Sequence, residues 1–305
     1  GLRSRPREVW VGGERVANVA DHPAFAAVAR QLAALYDMQL EPAYADRLTG
    51  TDPETGETCG ISFLEARSPD DLRRRREGMR LWAEASFGLL GRSPDFMNAT
   101  LLALWESRDF FAQDGQKFAD HLDAYYRFVR KNDLFLSHAL VTPQNDRTKA
   151  SHELGDLHLR VTAEVEGGII MNGARMIATL GPIADEILMY NLPGLKPGDE
   201  DHAVIFAIAA DARGLRQICR EPYTLDGSRS SFDHPLSTRF EENDALLVFN
   251  DVFVPWDRVF CYRNVKAAAE MYPRTSIRNH TAYQTNIRAL AKMQLATGLA
   301  MAVAR

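Results

Sequence analysis

The hydrophobic repeat of the chain changes twice, near residues 132 and 271, and those changes rule out both a pure helical bundle and an all-β fold. Over residues 1–131 the apolar positions recur at helical spacing. The stretch "HPAFAAVARQLAALYDMQLE" puts Phe25, Val28, Leu32 and Leu35 on one face, with Asp21 ahead of it as a candidate N-cap. "SPDDLRRRREGMRLWAEASFGLL" opens on Ser68 and Pro69 and carries Leu72, Met79, Trp82 and Ala83 as its apolar positions. "SPDFMNATLLALWES" repeats the pattern, with Ser93 as cap, Pro94 at the first helical position and Asp95 at the positive helix end. "GQKFADHLDAYYRFVRKND" reads as a further amphipathic helix.

Between 132 and 270 the runs shorten and become β-branched or aromatic, as in "LFLSHALVTP", "EILMYNL", "HAVIFAIAA" and "DALLVFNDVFVP", with Gly, Pro, Asn and Asp between them. This reads as a β-rich, barrel-like middle domain. From 271 the pattern turns helical again and reaches Arg305 without a stop signal. Its small-residue, apolar surface asks for partner helices, so the expectation is a C-terminal helical domain that continues further. The expected fold class is therefore α+β, with domains at 1–131, 132–270 and 271–305.

A 305-residue chain that is 46% hydrophobic can bury a large core, and a net charge of -5 argues against a nucleic-acid or anionic-membrane partner. The basic run "DLRRRREGMR" reads as a solvated helical face among Asp70, Asp71 and Glu77. Cys59, Cys219 and Cys261 lack metal-ligand spacing and are odd in number, which supports neither a disulfide framework nor a cysteine zinc site. With no long apolar run and no apolar leader core visible, a cytoplasmic location is expected.

Six segments, taken in order, carry more than a pattern: "REVWVGGERVANVADHPAF" (7–25), "GLLGRSPDFMNA" (88–99), "NDLFLSHALVTPQNDR" (132–147), "NGARMIATLGPIADEILMY" (172–190), "DHPLSTRFEENDALLVFNDVFVPWDRVF" (233–260) and "YQTNIRALAKMQLATGLA" (283–300). Together they resemble the oxygenase component of the 4-hydroxyphenylacetate 3-monooxygenase family, which has an acyl-CoA dehydrogenase-like architecture. The resemblance implies a hydroxylase that uses FAD as FADH2 with O2 and oxidises a phenol ortho to its hydroxyl through a flavin C4a-hydroperoxide. It also implies a separate NAD(P)H-flavin reductase and a homotetramer.

The same resemblance assigns residues. Arg92 takes the position of the arginine that meets the phenolic oxygen, and His138 that of a histidine close to both that oxygen and the flavin. On the residues alone, Arg92 reads equally as a loop charge and His138 as a core histidine. Phe96 departs from the family's usual tyrosine and withholds a hydroxyl donor, so the substrate is open between 4-hydroxyphenylacetate's relatives among the phenols and another electron-rich aromatic such as an indole or pyrrole. Thr142, Gln144, Arg147 and Thr179 fall where the family meets the flavin, although Thr-Pro and Asn-Asp also mark ordinary turns. "NLPGLKPGDEDHA" (191–203), with Leu192 and Gly194, matches a lid over the substrate, or else a plain solvent loop. No glycine-rich dinucleotide loop is present. Competing readings are a non-catalytic scaffold subunit, an acyl-CoA dehydrogenase and a dehydratase relative; the last would want a helical cysteine pair where Arg92 and Phe96 stand.

Overall fold

The computed structural model describes residues 2–146, 148–223 and 230–304. Its strands are β1 (Glu8–Val11), β2 (Glu14–Arg15), β3 (Thr49–Thr51), β4 (Thr58–Gly60), β5 (Leu136–Ala139) and β6 (Arg160–Val165). They continue as β7 (Gly168–Thr179), β8 (Glu186–Met189), β9 (Val204–Ala209), β10 (Leu215–Cys219), β11 (Asp244–Pro255) and β12 (Val259–Tyr262). The longer helices are Pro23–Asp37, Pro69–Ala85, Pro94–Glu106, Gln116–Asn132, Val265–Arg274 and Ile277–Val303. The class is mixed α+β, as expected.

The barrel-like expectation needs correction. The strands form an open six-stranded sheet, β2-β1-β10-β11-β7-β6, and an open four-stranded sheet, β12-β9-β8-β5, and neither closes among the described residues. The first sheet also recruits β1, which pairs in parallel with β10 about two hundred residues away. Such a pairing leaves no local trace in the sequence.

The four-stranded sheet is the shared wall of two cores. Ile187, Met189, Val204, Phe206 and Ile208 point to a core built on the six-stranded sheet and the helix Pro23–Asp37. Their alternates Leu188, Tyr190, Ile205 and Ala207 point to a second core with the helices Pro94–Glu106 and Gln116–Asn132. Alternation along a strand sends successive side chains to opposite faces, and this period fixes which of them reach the helical side.

Helix starts follow local chemistry. Ser68 accepts from the Asp71 N–H at 3.2 Å, and the helix behind Ser93 begins at Pro94. The first long helix departs from expectation: its cap is His22, whose Nδ1 accepts from the Ala24 N–H at 3.2 Å, while Asp21 pairs with Arg3 at 2.7 Å. Pro23 at the first helical position leaves residue 22 as the capping position. The basic run is mostly a solvated face, with Arg73 on Asp70 and Arg80 on Glu77, but Arg75 is buried and meets His280 Nδ1 at 3.0 Å. Leu72, one of the expected apolar positions, is exposed.

The loop ahead of Pro94 is seated directly on the long helix Ile277–Val303. Gly88 has φ 68°, and a Cβ there would stand 2.4 Å from the Arg288 carbonyl oxygen, so only glycine permits this approach. Arg288 Nη1 donates to the Gly88 carbonyl at 3.1 Å and clamps the same contact.

Candidate active site

Parallel pairing of β5 with β8 sets the site's floor, with His138 opposite Leu188 in register. His138 shares a face with Leu136, and Tyr190 shares one with Leu188, so both project toward the helix Pro94–Glu106. The first turn of that helix supplies Phe96, whose ring meets the His138 ring edge-on at 5.6 Å. Arg92, two residues before the helix starts, lays its guanidinium 4.3 Å from the Phe96 ring centre, a cation-over-aromatic contact.

The hydrogen bonds define one tautomer. Arg92 Nε donates to His138 Nε2 at 3.1 Å, so that nitrogen must carry a lone pair. Nδ1 therefore holds the proton and donates to the Tyr190 hydroxyl 2.6 Å away. Burial, reinforced by the neighbouring Arg92 charge, lowers His138 to about 3 and keeps the imidazole neutral. Burial likewise pushes the Tyr190 phenol well above its ordinary value.

Two carboxylates hold this arrangement from behind. Glu242 accepts from the Arg92 backbone N–H at 2.5 Å, and the Gly91 N–H also points to it. Burial raises the Glu242 carboxyl, with those two N–H groups opposing. Asp95 accepts from Ser93 Oγ at 2.5 Å, and Gln284 Nε2 on the long C-terminal helix reaches Ser93 Oγ at 3.2 Å. Asp95 is fully enclosed, and desolvation raises it to about 6 although the Ser93 and Gln284 hydrogen bonds favour its charge. The turn bearing Arg92 is thus tied both to the strand-side loop at Glu242 and to the terminal helix.

A cavity of about 340 Å³ opens just past His138 and Tyr190, at the C-terminal ends of β5 and β8. Thr142, Gln144, His158, Arg175, Leu192 and Gly194 all belong to its lining. The 191–196 segment is anchored at its base by the buried Asp199, which accepts from the Lys196 N–H at 2.8 Å and the His152 N–H at 2.9 Å. Gly194 itself has φ 133° and open space around it.

The structure thus gathers Arg92, Phe96 and His138 into one cluster and Thr142, Gln144, Leu192 and Gly194 around the adjoining cavity. It does not bring Thr179 to that cavity: the hydroxyl donates to Asp244 Oδ1 at 2.6 Å and the carbonyl accepts from Ser137 Oγ at 2.7 Å. Arg147 lies outside the described residues. Tyr190, Glu242, Arg175 and Gln284 were not singled out by sequence reasoning. A phenol hydroxyl directly after the apolar run "ILM", as in "EILMYNL", is the signal that marks Tyr190.

The two open sheets and the helices packed on them define a mixed α+β scaffold. An archaeal 4-hydroxybutyryl-CoA dehydratase from N. maritimus superposes with TM-score 0.83 at 22% identity, covering 99% of this chain and 60% of that one, a likeness of fold alone. The chain belongs to the 4-hydroxyphenylacetate 3-hydroxylase N-terminal family, whose sequence model matches residues 1–261. It is 40% identical over 305 residues to the 4-hydroxyphenylacetate 3-monooxygenase oxygenase component of Thermus thermophilus, covering 99% of this chain and 62% of the relative. A relative of the same description from a Geobacillus species is 38% identical over 304 residues, 98% of this chain and 61% of that protein. A crystal structure of such an oxygenase component, complexed with FAD and 4-hydroxyphenylacetate, superposes with TM-score 0.90 at 40% identity, covering 98% of this chain and 62% of that one. The chain thus spans about three-fifths of the length of these relatives.

Proposed function

We propose that this chain serves a reduced-FAD-dependent aromatic hydroxylase, as the oxygenase component of a two-component monooxygenase acting ortho to a phenol hydroxyl. The observation that carries the reading is the Arg92–His138 contact, a fixed cation on a neutral, tautomer-defined imidazole, two residues along the chain from Leu140 in the wall of a ligand-sized cavity. The donor set fits the cofactor, since the Thr142 hydroxyl and Gln144 amide suit the carbonyl edge of a flavin ring. Thr179 is placed less favourably, its hydroxyl being engaged with Asp244. Bound reduced FAD would supply the electrons that activate O2, one oxygen atom entering the ring and the other leaving as water.

The chain's own part is to hold and activate the phenol. Arg92 keeps Nη donors free of protein acceptors among the described residues, apart from a long 3.4 Å contact to the Gly91 carbonyl. A phenolic oxygen taking those donors is stabilised as an anion. If it draws Arg92 away from Nε2, the freed lone pair of that neutral nitrogen can accept a hydrogen bond from the phenol hydroxyl and orient it. Tyr190 holds Nδ1 throughout and so keeps the acceptor nitrogen pointed at the substrate. The proposed lid, 191–203, whose residues 191–196 line the cavity, would exclude water over it. Phe96 offers packing and no hydroxyl, which favours a phenol other than 4-hydroxyphenylacetate.

The same reading divides the chain at 1–131, 132–270 and 271–305 and places it in the cytoplasm. It takes FADH2 from a separate NAD(P)H-flavin reductase and assembles the protein as a homotetramer. Exposed Leu290, Met293, Leu299 and Met301 on the terminal helix support the last point. No helix among the described residues is long and apolar enough to cross a membrane.

The test is a substrate screen with the intact protein and chemically reduced FAD under air. Hydroxylated product is expected from at least one phenol, and none with NADH in place of reduced flavin. Rapid NADH oxidation by the reductase-free protein, or no product across a broad phenol panel, would sink the reading.

A further inference from the structure

Arg175 is a buried cation that the proposed chemistry leaves unused. The other buried arginines among the described residues also leave one N–H without an acceptor, but each lies in the field of carboxylates: Arg130 meets Asp52 at 2.5 Å, Arg7 is near Asp211 and Asp185, and Arg75 is near Glu106 and Asp95. Arg175 is only 4% exposed, and among the described residues it makes one hydrogen bond, from Nη1 to the Leu140 carbonyl at 3.3 Å, while its Nε–H finds no acceptor. Burial alone depresses it to about 10, with no neighbouring carboxylate to offset the cost. A buried, unpaired guanidinium is expensive to keep unless something else supplies the negative charge.

Its position says where that charge would sit. The bridge between Val141 and Met176, with the Met176 N–H donating to the Val141 carbonyl at 2.7 Å, presses Arg175 against the segment that continues β5. It thereby lines the cavity between Thr142 and Leu192. The acidic side chain among the described lining residues, Asp146, is exposed and already accepts from the Thr148 hydroxyl. His158, also in the wall, is kept toward its neutral form by burial and is bonded to Ser151 Oγ and the Pro143 carbonyl.

We propose that Arg175 anchors an oxyanion of the ligand that fills this cavity, its planar fork taking a carboxylate or phosphate. The proposal rests on the hydroxylase reading and deepens it. The oxyanion has two sources: the acidic tail of an aromatic substrate whose phenol end lies at Arg92, or the phosphates of the flavin nucleotide.

The experiment is equilibrium binding to the intact protein, wild type against Arg175→Met and Arg175→Lys, with thermal melts as a folding control. Two probe pairs are used: the tightest-binding acid from a panel of 4-hydroxybenzoate, 4-hydroxyphenylacetate and 4-hydroxyphenylpropionate with its neutral amide, and FAD with riboflavin. Arg175→Met should weaken the charged member of one pair by roughly ten- to a hundredfold and spare the neutral member. The pair that responds names the source of the oxyanion. Arg175→Lys, which keeps the charge and loses the fork, should lie between. Equal loss for charged and neutral members, or wild-type affinity for both variants, would overturn the subsite. Wild-type turnover is followed in parallel: turnover without selective loss removes the subsite alone, whereas absence of both binding and turnover removes the hydroxylase reading with it.

Discussion

Replacing Arg92 with alanine should leave oxygen consumption by the reduced-FAD-loaded protein nearly intact while hydroxylated product falls by a hundredfold or more. Loss of a preorganised donor at a developing oxyanion typically costs about 2.7 to 4 kcal/mol, and here the lost group is a full cation. The consumed oxygen should appear as H2O2, because activation of O2 does not need the phenol to be held. The guanidinium also covers the Phe96 ring at 4.3 Å and occupies His138 Nε2, so the substitution bares both partners. The measurement is the ratio of product to H2O2. A fully coupled Arg92→Ala protein would reduce the arginine to a helix-start charge.

The second large effect is on acid stability. His138 is lowered to about 3 from an ordinary value near 6.5. For a base with a depressed folded pKa, the stabilisation is complete above pH 6.5 and is lost as the pH falls toward 3, because the unfolded chain takes up the proton first. Three and a half units correspond to an upper bound on the order of 5 kcal/mol. Asp95 acts in the opposite sense: its carboxyl is raised to about 6, so its contribution is present below pH 4 and is lost as the pH rises through 6. Comparison with His138→Gln separates the two, since the Asp95 contribution cancels in the difference. Denaturant unfolding from pH 8 to pH 4 should show wild type losing stability relative to His138→Gln by several kcal/mol. Parallel pH curves for the two proteins would mean that the imidazole is not held neutral.

Much of this was legible in the sequence because it is local chemistry. Ser93-Pro94 announced a helix start, and the helix begins there. The short apolar runs after Asn132 announced strands, and β5, β8, β9 and β11 fall on them. What stayed hidden depends on partners far along the chain. Tyr190 bonds a histidine 52 residues away, and Gln284 reaches Ser93 across 191 residues. No periodicity encodes such meetings. Sheet closure was misjudged for the same reason, since strand count does not say which edges pair, and β1 and β2 joined a sheet whose other four strands begin only after residue 159. Arg75 was a different miss: it lies one turn before Met79 on the buried face, and a run of four arginines masked the helical phase.

The central claim, that Arg92 and His138 present a phenol for oxygen insertion, is tested most directly by isotope labelling of the wild-type reaction. The intact protein, chemically reduced FAD and the best phenol from the screen are mixed under 18O2, and the product is analysed by mass spectrometry. One labelled oxygen atom on the ring, ortho to the original hydroxyl, is the expected result. Product carrying unlabelled oxygen from water, or H2O2 as the sole fate of the 18O2 with every phenol tried, would contradict the account.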